Sequence, residues 1–239
     1  MAGEGEGVGG EVESIGFAEA RSALTWWLQS GVDAAVQEAP RNWLKPPSPK
    51  VVKEQAADRS AEQPVHETLD EFRNWLSTSE HLPMGGRAAR RVLPRGPQEA
   101  AIMLLAEAPE DSSGPIGGDA WILAQRMVAA IRIPVEQAYS AALSFFHVPG
   151  ARMSAAEREA SAEIARRHIR LVAPRCLLLF GDGPSLALLG KRLIDARGHV
   201  HKVEGVRTVA TFHPNHLIKR PLDKSLAWQD LLLLMEDES

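Results

Sequence analysis

Val206-Arg207-Thr208-Val209-Ala210-Thr211-Phe212, followed by His213-Pro214-Asn215-His216-Leu217-Ile218-Lys219, is the stretch from which the fold is read. The first seven residues are mostly β-branched or apolar, which suits a short buried strand. Pro214 has no N–H to give to a ladder, so the strand ends there. His213 is left at its carboxyl end. In an open α/β sheet, ligands bind outside the carboxyl ends of the strands, which makes His213 the first candidate for function.

Upstream of this stretch the pattern alternates between short apolar runs and helical periodicity. Ala100-Ala101-Ile102-Met103-Leu104-Leu105, a segment within Gln137 to Phe145, and Cys176 to Phe180 read as strands. Between them, Trp121 to about Ile131, Ser154 to about Val172 and Pro184 to about Arg197 read as helices, and the second of these opens on a capping box, Ser154 with Glu157. Asp223 is expected to cap a closing helix from Lys224 to Met235, with Leu226, Leu231 and Leu234 facing inward. The alternation predicts an α/β fold, a three-layer α/β/α arrangement around a central, mostly parallel four-stranded sheet.

The amino-terminal third differs. Residues 1–14 are rich in Gly and Glu and bury nothing to offset chain entropy, so a disordered tail is expected. Apolar residues at helical spacing from Phe17 to Val36 predict a helical segment within 15–44, and the prolines of 45–66 predict a linker. A helix from Thr68 to Ser77 then opens the main domain, 67–239. The run from Gly85 to Arg95 holds four arginines and no acidic residue, which fits either a solvated loop or a phosphate-contacting surface.

The 239 residues are 44% hydrophobic with a net charge of −4, which does not advertise a nucleic-acid binder but leaves room for a local basic surface. The one cysteine, Cys176, lies in an apolar run, excludes an internal disulfide and reads as a buried structural thiol. The amino terminus lacks a signal-peptide pattern, and no apolar run approaches ~18 residues. The expectation is a soluble cytoplasmic protein with no membrane partner.

Two strand ends carry chemistry. The first strand delivers Glu107, in Glu107-Ala108-Pro109 ahead of Gly114-Pro115, to the edge where the fourth delivers His213. A carboxylate and an imidazole meeting there form a plausible acid/base or electrostatic pair. Together with His213-Pro214, Leu217, Lys219 and the run Leu226-Ala227-Trp228-Gln229-Asp230-Leu231, they resemble the motifs of the uracil-DNA glycosylase superfamily, most nearly its iron-sulfur class. The resemblance covers roughly residues 66 to 235.

The resemblance implies that His213 donates a hydrogen bond to the leaving base and that Glu107 serves the sugar or the attacking water. It further implies a base pocket around Ala108, Pro109, Ile116 and Ala141. Pro214, Asn215, His216, Lys219 and Arg220 would form a loop that enters DNA, either single-stranded or with a base flipped from a duplex. Departures from the family pattern are equally specific. Ile116 stands where a stacking aromatic is expected, Ala141 where an asparagine reads the base, and Glu110 where a glycine closes the first motif. The regions that would supply four cluster cysteines contain none, so neither a cluster nor any other metal or cofactor is expected.

The chain is thus open to three functions: a glycosylase of altered base preference, a DNA-binding scaffold that has lost efficient catalysis, and an α/β frame serving an unrelated ligand. For the last, Gly181-Asp182-Gly183 lacks the third glycine and the acidic partner of a dinucleotide site.

Overall fold

The computed structural model describes Ser22, Thr25, Trp26 and residues 66–85, 89–150 and 152–235. The chain divides into two compact units, Met1–Asp58 and Arg59–Ser239. Ser22, Thr25 and Trp26 are helical, within the segment expected to be so, and the Trp26 ring is exposed. The expected tail and nearly all of the expected linker lie outside the described residues.

The elements of the second unit are α1 (Leu69–Thr78), β1 (Arg90–Arg91), β2 (Ile102–Ala106), α2 (Gly118–Ala130), β3 (Ala138–Ala142), β4 (Phe146–His147), α3 (Ala155–Val172) and β5 (Cys176–Phe180). Then come α4 (Asp182–Leu189), α5 (Leu193–Ala196), β6 (Val200–Val203), β7 (Val206–Thr211), α6 (Pro214–Lys219) and α7 (Lys224–Met235). The main sheet has the order β3-β2-β5-β7-β6 and is parallel except for β6. Every residue of β2, β3 and β5 is buried, as a parallel sheet covered on both faces requires.

Alternation assigns the faces. Met103, Leu105, Tyr139, Ala141, Leu177 and Leu179 join the apolar cluster under α1, α3, α4 and α5. Ile102, Leu104, Ala138, Ala142, Leu178 and Val209 join the one under α2, α6 and α7. The three-layer α/β/α architecture is therefore present.

The sheet has five strands, not four. The fifth, β6, folds back on β7 through Glu204-Gly205, both at positive φ (50° and 81°), the two-residue turn whose twist matches an antiparallel pair. The helix expected over 184–197 is broken at Gly190, whose φ of 67° ends α4. The Asp182 carboxylate then accepts from Leu193 N–H at 2.7 Å and so starts α5. The Ser154–Glu157 capping box is formed, with Glu157 N–H donating to Ser154 Oγ at 3.2 Å and Ser154 N–H to Glu157 Oε2 at 2.9 Å.

On α7 the buried residues are Ala227, Asp230 and Leu231, so only one of the three expected leucines is fully inside. A short 3-10 turn, Pro221–Asp223, precedes that helix. No helix among the described residues is long and apolar enough to cross a membrane.

Candidate active site

The carboxyl ends of β2, β5 and β7 lie side by side and form the site. Glu107 follows β2 and His213 follows β7. Between them β5 ends in Gly181-Asp182-Gly183, the start of α4. A methyl placed on Gly183 would lie 2.4 Å from Glu107 Cδ, so the carboxylate arm rests directly on that glycine's backbone, and no side chain fits there. Gly181, at φ 89°, lies beneath His213, whose Cβ would be 3.9 Å from a methyl on it. One glycine turn therefore seats both side chains. In the sequence it shows only as a weak dinucleotide motif.

His213 is the N-cap of α6. Pro214 occupies the first helical position, where its missing N–H costs nothing, so the segment expected to be a loop is a helix. Asn215 N–H donates to His213 Nδ1 at 3.3 Å, which leaves the proton of the neutral ring on Nε2. The ring meets Phe180 edge-on at 5.9 Å. Burial pushes the imidazole below its ordinary value, and the Glu110 carboxylate, 4.0 Å from Nδ1, pulls the other way. His213 is thus a neutral Nε2–H donor at the sheet's mouth.

Glu110 is the departure that matters most. Its carboxylate accepts a short hydrogen bond from Asn215 Nδ2 and faces His213, so it occupies the mouth where the family pattern has a glycine. The rest of its loop is tied down independently. The Pro109 carbonyl accepts from His147 Nδ1 at 2.9 Å, and the Asp111 carboxylate accepts from Ser113 N–H at 2.7 Å and Ser113 Oγ at 2.5 Å. His147 has no role legible in the sequence, because its partner is a carbonyl 38 residues away.

The remaining expected site residues divide between packing and surface. Ala108 is half-buried beside Glu107, and Pro109 is buried. Ile116 is only 4% exposed and belongs to the apolar cluster with Phe180 and Leu217, so it is packing and not an open stacking surface. It also lines a groove of about 340 Å³ beside the outer strand β3, together with Arg95, Pro115, Trp121 and Ser140.

Ala141 does not belong to a base pocket. The period-2 alternation of β3 turns it into the cluster under α1 and α3, at 0% exposure. Its neighbour Ser140 faces the groove instead, and its Oγ has no hydrogen-bond partner.

Of the residues expected to touch DNA, Lys219 and Arg220 are exposed and Pro214 is buried. Asn215 is engaged by Glu110. His216 stacks on Phe212 at 4.7 Å and meets Asp223 Oδ2 through Nε2 at 2.6 Å. That last bond holds the 3-10 turn on which Leu222 stands 90% exposed, between Arg220 and Lys224. Sequence reasoning misses Leu222. Its only signal is an apolar residue in a polar turn, without helical or strand period.

Asp230 anchors the whole edge. At 0% exposure its carboxylate accepts from Thr211 Oγ1 (2.8 Å), Gly198 N–H (3.0 Å) and Arg197 Nη2 (3.2 Å), which ties α7 to the last residue of β7, two before His213. Burial pushes this carboxyl up, against those bonds. In the basic run, Arg91 donates to the carbonyls of Leu76 and Ser79 and covers the Phe146 ring, so it is structural.

Cys176 Sγ donates to the Ala101 carbonyl at 3.2 Å, and burial raises the thiol to about 11, which makes it inert. Among the described residues no three His, Cys, Asp or Glu side chains converge as they would around a metal ion. Neither a scan against protein-family models nor a search of curated proteins finds a match for this chain.

Proposed function

We propose that the chain is a cytoplasmic, DNA-binding uracil-DNA glycosylase-like protein that hydrolyses the N-glycosidic bond of uracil or another deaminated base, with altered base preference. The observation that carries the reading is the seating of Glu107 and a neutral His213 on one glycine turn at the carboxyl edge of a parallel sheet. As the glycosidic bond breaks, its electron pair goes to the base. A preorganised Nε2–H donor opposes the negative charge that develops on the base oxygen, and Glu107 favours the cationic sugar and the water that adds to C1′.

Lys219 and Arg220 would contact phosphates, and the bare Leu222 side chain has the character of the apolar wedges that open base steps. A second reading, a catalytically degenerate DNA-binding or repair-complex scaffold, is favoured by Glu110. Its carboxylate sits in the mouth and repels phosphate.

The test is cleavage of single- and double-stranded oligonucleotides carrying uracil, hypoxanthine or xanthine. Wild type is expected to leave abasic sites, and His213→Ala to lose about 10²–10³ in rate, as for removal of one oxyanion donor. If neither protein cleaves while both bind DNA with a steep salt dependence, the scaffold reading stands and the enzyme reading falls. Absence of both cleavage and DNA binding rejects both.

A further inference from the structure

At the opposite end of the sheet, four cations from four different segments line one hollow of about 620 Å³: Arg132 after α2, Arg175 before β5, Lys202 of β6 and Arg207 of β7. No acidic side chain lines it among the described residues. Lys202 and Arg207 are direct cross-strand partners, so their side chains leave the same face. Arg207 is in turn directly paired with Cys176, which also lines the hollow. Arg132 is held at φ 62°, in the left-handed region that a non-glycine residue adopts at a cost.

Glu204, between Lys202 and Arg207 in the sequence, pairs its carboxylate with Arg170 at 2.5 Å and Arg166 at 3.6 Å. Arg207 donates to the Leu233 carbonyl at 2.7 Å, which fixes its guanidinium in place. The side chains of Arg132 and Arg175 have no acceptor among the described residues. Arginines gathered around a hollow whose described lining holds no carboxylate, two of them without an acceptor among the described residues, are the arrangement an anion would stabilise.

We propose that this hollow is a binding site for a ligand carrying clustered phosphates, separate from the Glu107–His213 mouth. Three arginines from three segments suit more than one phosphate and exceed what a single carboxylate requires. Two sources share that chemistry, a small polyphosphate and the backbone of a nucleic acid. The test titrates inorganic tripolyphosphate and, separately, a single-stranded dT oligonucleotide into wild type, Arg132→Gln/Arg175→Gln and His213→Ala, by calorimetry at several salt concentrations. Because the sequence continues past Met235 with Glu236, Asp237 and Glu238, the titrations are repeated on the chain ended at Met235.

The expected result is binding of at least one probe. It should weaken by roughly tenfold or more in the double arginine variant, and tripolyphosphate binding should stay unchanged in His213→Ala. If the oligonucleotide is the ligand, the slope of log K against log salt falls by about 1.4 in that variant, two cations at ~0.7 each. Both arginines are exposed, and an unaltered unfolding midpoint checks that the variant folds. Binding of neither probe to either chain length, or binding indifferent to the arginine pair, overturns the proposal.

Discussion

Glu110 decides what the mouth can do. Among the described residues it is the carboxylate that favours the His213 imidazolium, and burial outweighs it. Removing its charge leaves burial unopposed. In Glu110→Gln the His213 imidazole is expected to titrate lower than in wild type, a shift read directly by NMR of the ring. A rise would mean that Glu110 does not face the ring in solution. The same substitution keeps an acceptor for Asn215 Nδ2 while removing the charge that repels phosphate, so DNA binding is expected to tighten.

Residues near this point are legible in the sequence to uneven degree. His213 and Glu107 can be found because strand ends are visible in hydrophobic patterning. Ala141 is misplaced because its role depends on which face of β3 it leaves, and a one-residue difference in register reverses that. Gly183 is undervalued, since its function is to be absent beneath Glu107, a fact that only the packing reveals.

Among the elements, the parallel strands β2, β5 and β7 and the helix α3 follow from continuous apolar runs and a capping box. The hairpin strand β6 does not announce itself. Val200-His201-Lys202-Val203 is short and only its last residue is buried, and its turn is Glu-Gly where the strongest signals are Asn-Gly or Asp-Gly.

The segment after His213 reads as a loop because six helical residues give too little period to see. As a helix it does more. It aims the His213 ring, places Lys219 and Arg220 outward, and through His216–Asp223 sets the turn that carries Leu222. If that turn is a wedge, Leu222→Ala is expected to weaken binding to duplex DNA by about 1–3 kcal/mol, the scale of a base step's stacking, and to leave binding to a single strand nearly unchanged. Equal losses on both substrates would assign Leu222 to the surface generally. Leu222 supports no packing, so the unfolding midpoint should not move.

For the molecule as a whole, the core beneath α1 and α3 contains a polar pair that makes stability depend on pH. His168, at 1% exposure, meets the Tyr139 hydroxyl through Nε2 at 2.8 Å, and its Nδ1 has no partner. Burial, helped by the Arg73 guanidinium above the Tyr139 ring, pushes this imidazole down to about 3. In the unfolded chain it titrates near its ordinary 6.5. Between those values the unfolded state holds a proton that the folded state does not, so folding is at full strength above the unfolded value and weakens as the pH falls below it.

From pH 7.5 to 5 the loss amounts to about 2 kcal/mol, the slope approaching ~1.36 kcal/mol per pH unit below the unfolded value. His213, also lowered by burial, adds in the same direction. Asp230, whose carboxyl is raised, works in the opposite direction, and it does so equally in wild type and in a variant of the His168 pair, so the difference between their profiles at pH 7.5, 6.5, 5.5 and 5 isolates that pair. Urea unfolding at those values should show the decline in wild type. A Tyr139→Phe/His168→Phe double variant, which removes both polar partners together and leaves no orphan hydroxyl, should show a much flatter profile. An equally steep decline in the double variant would place the acid sensitivity outside this core.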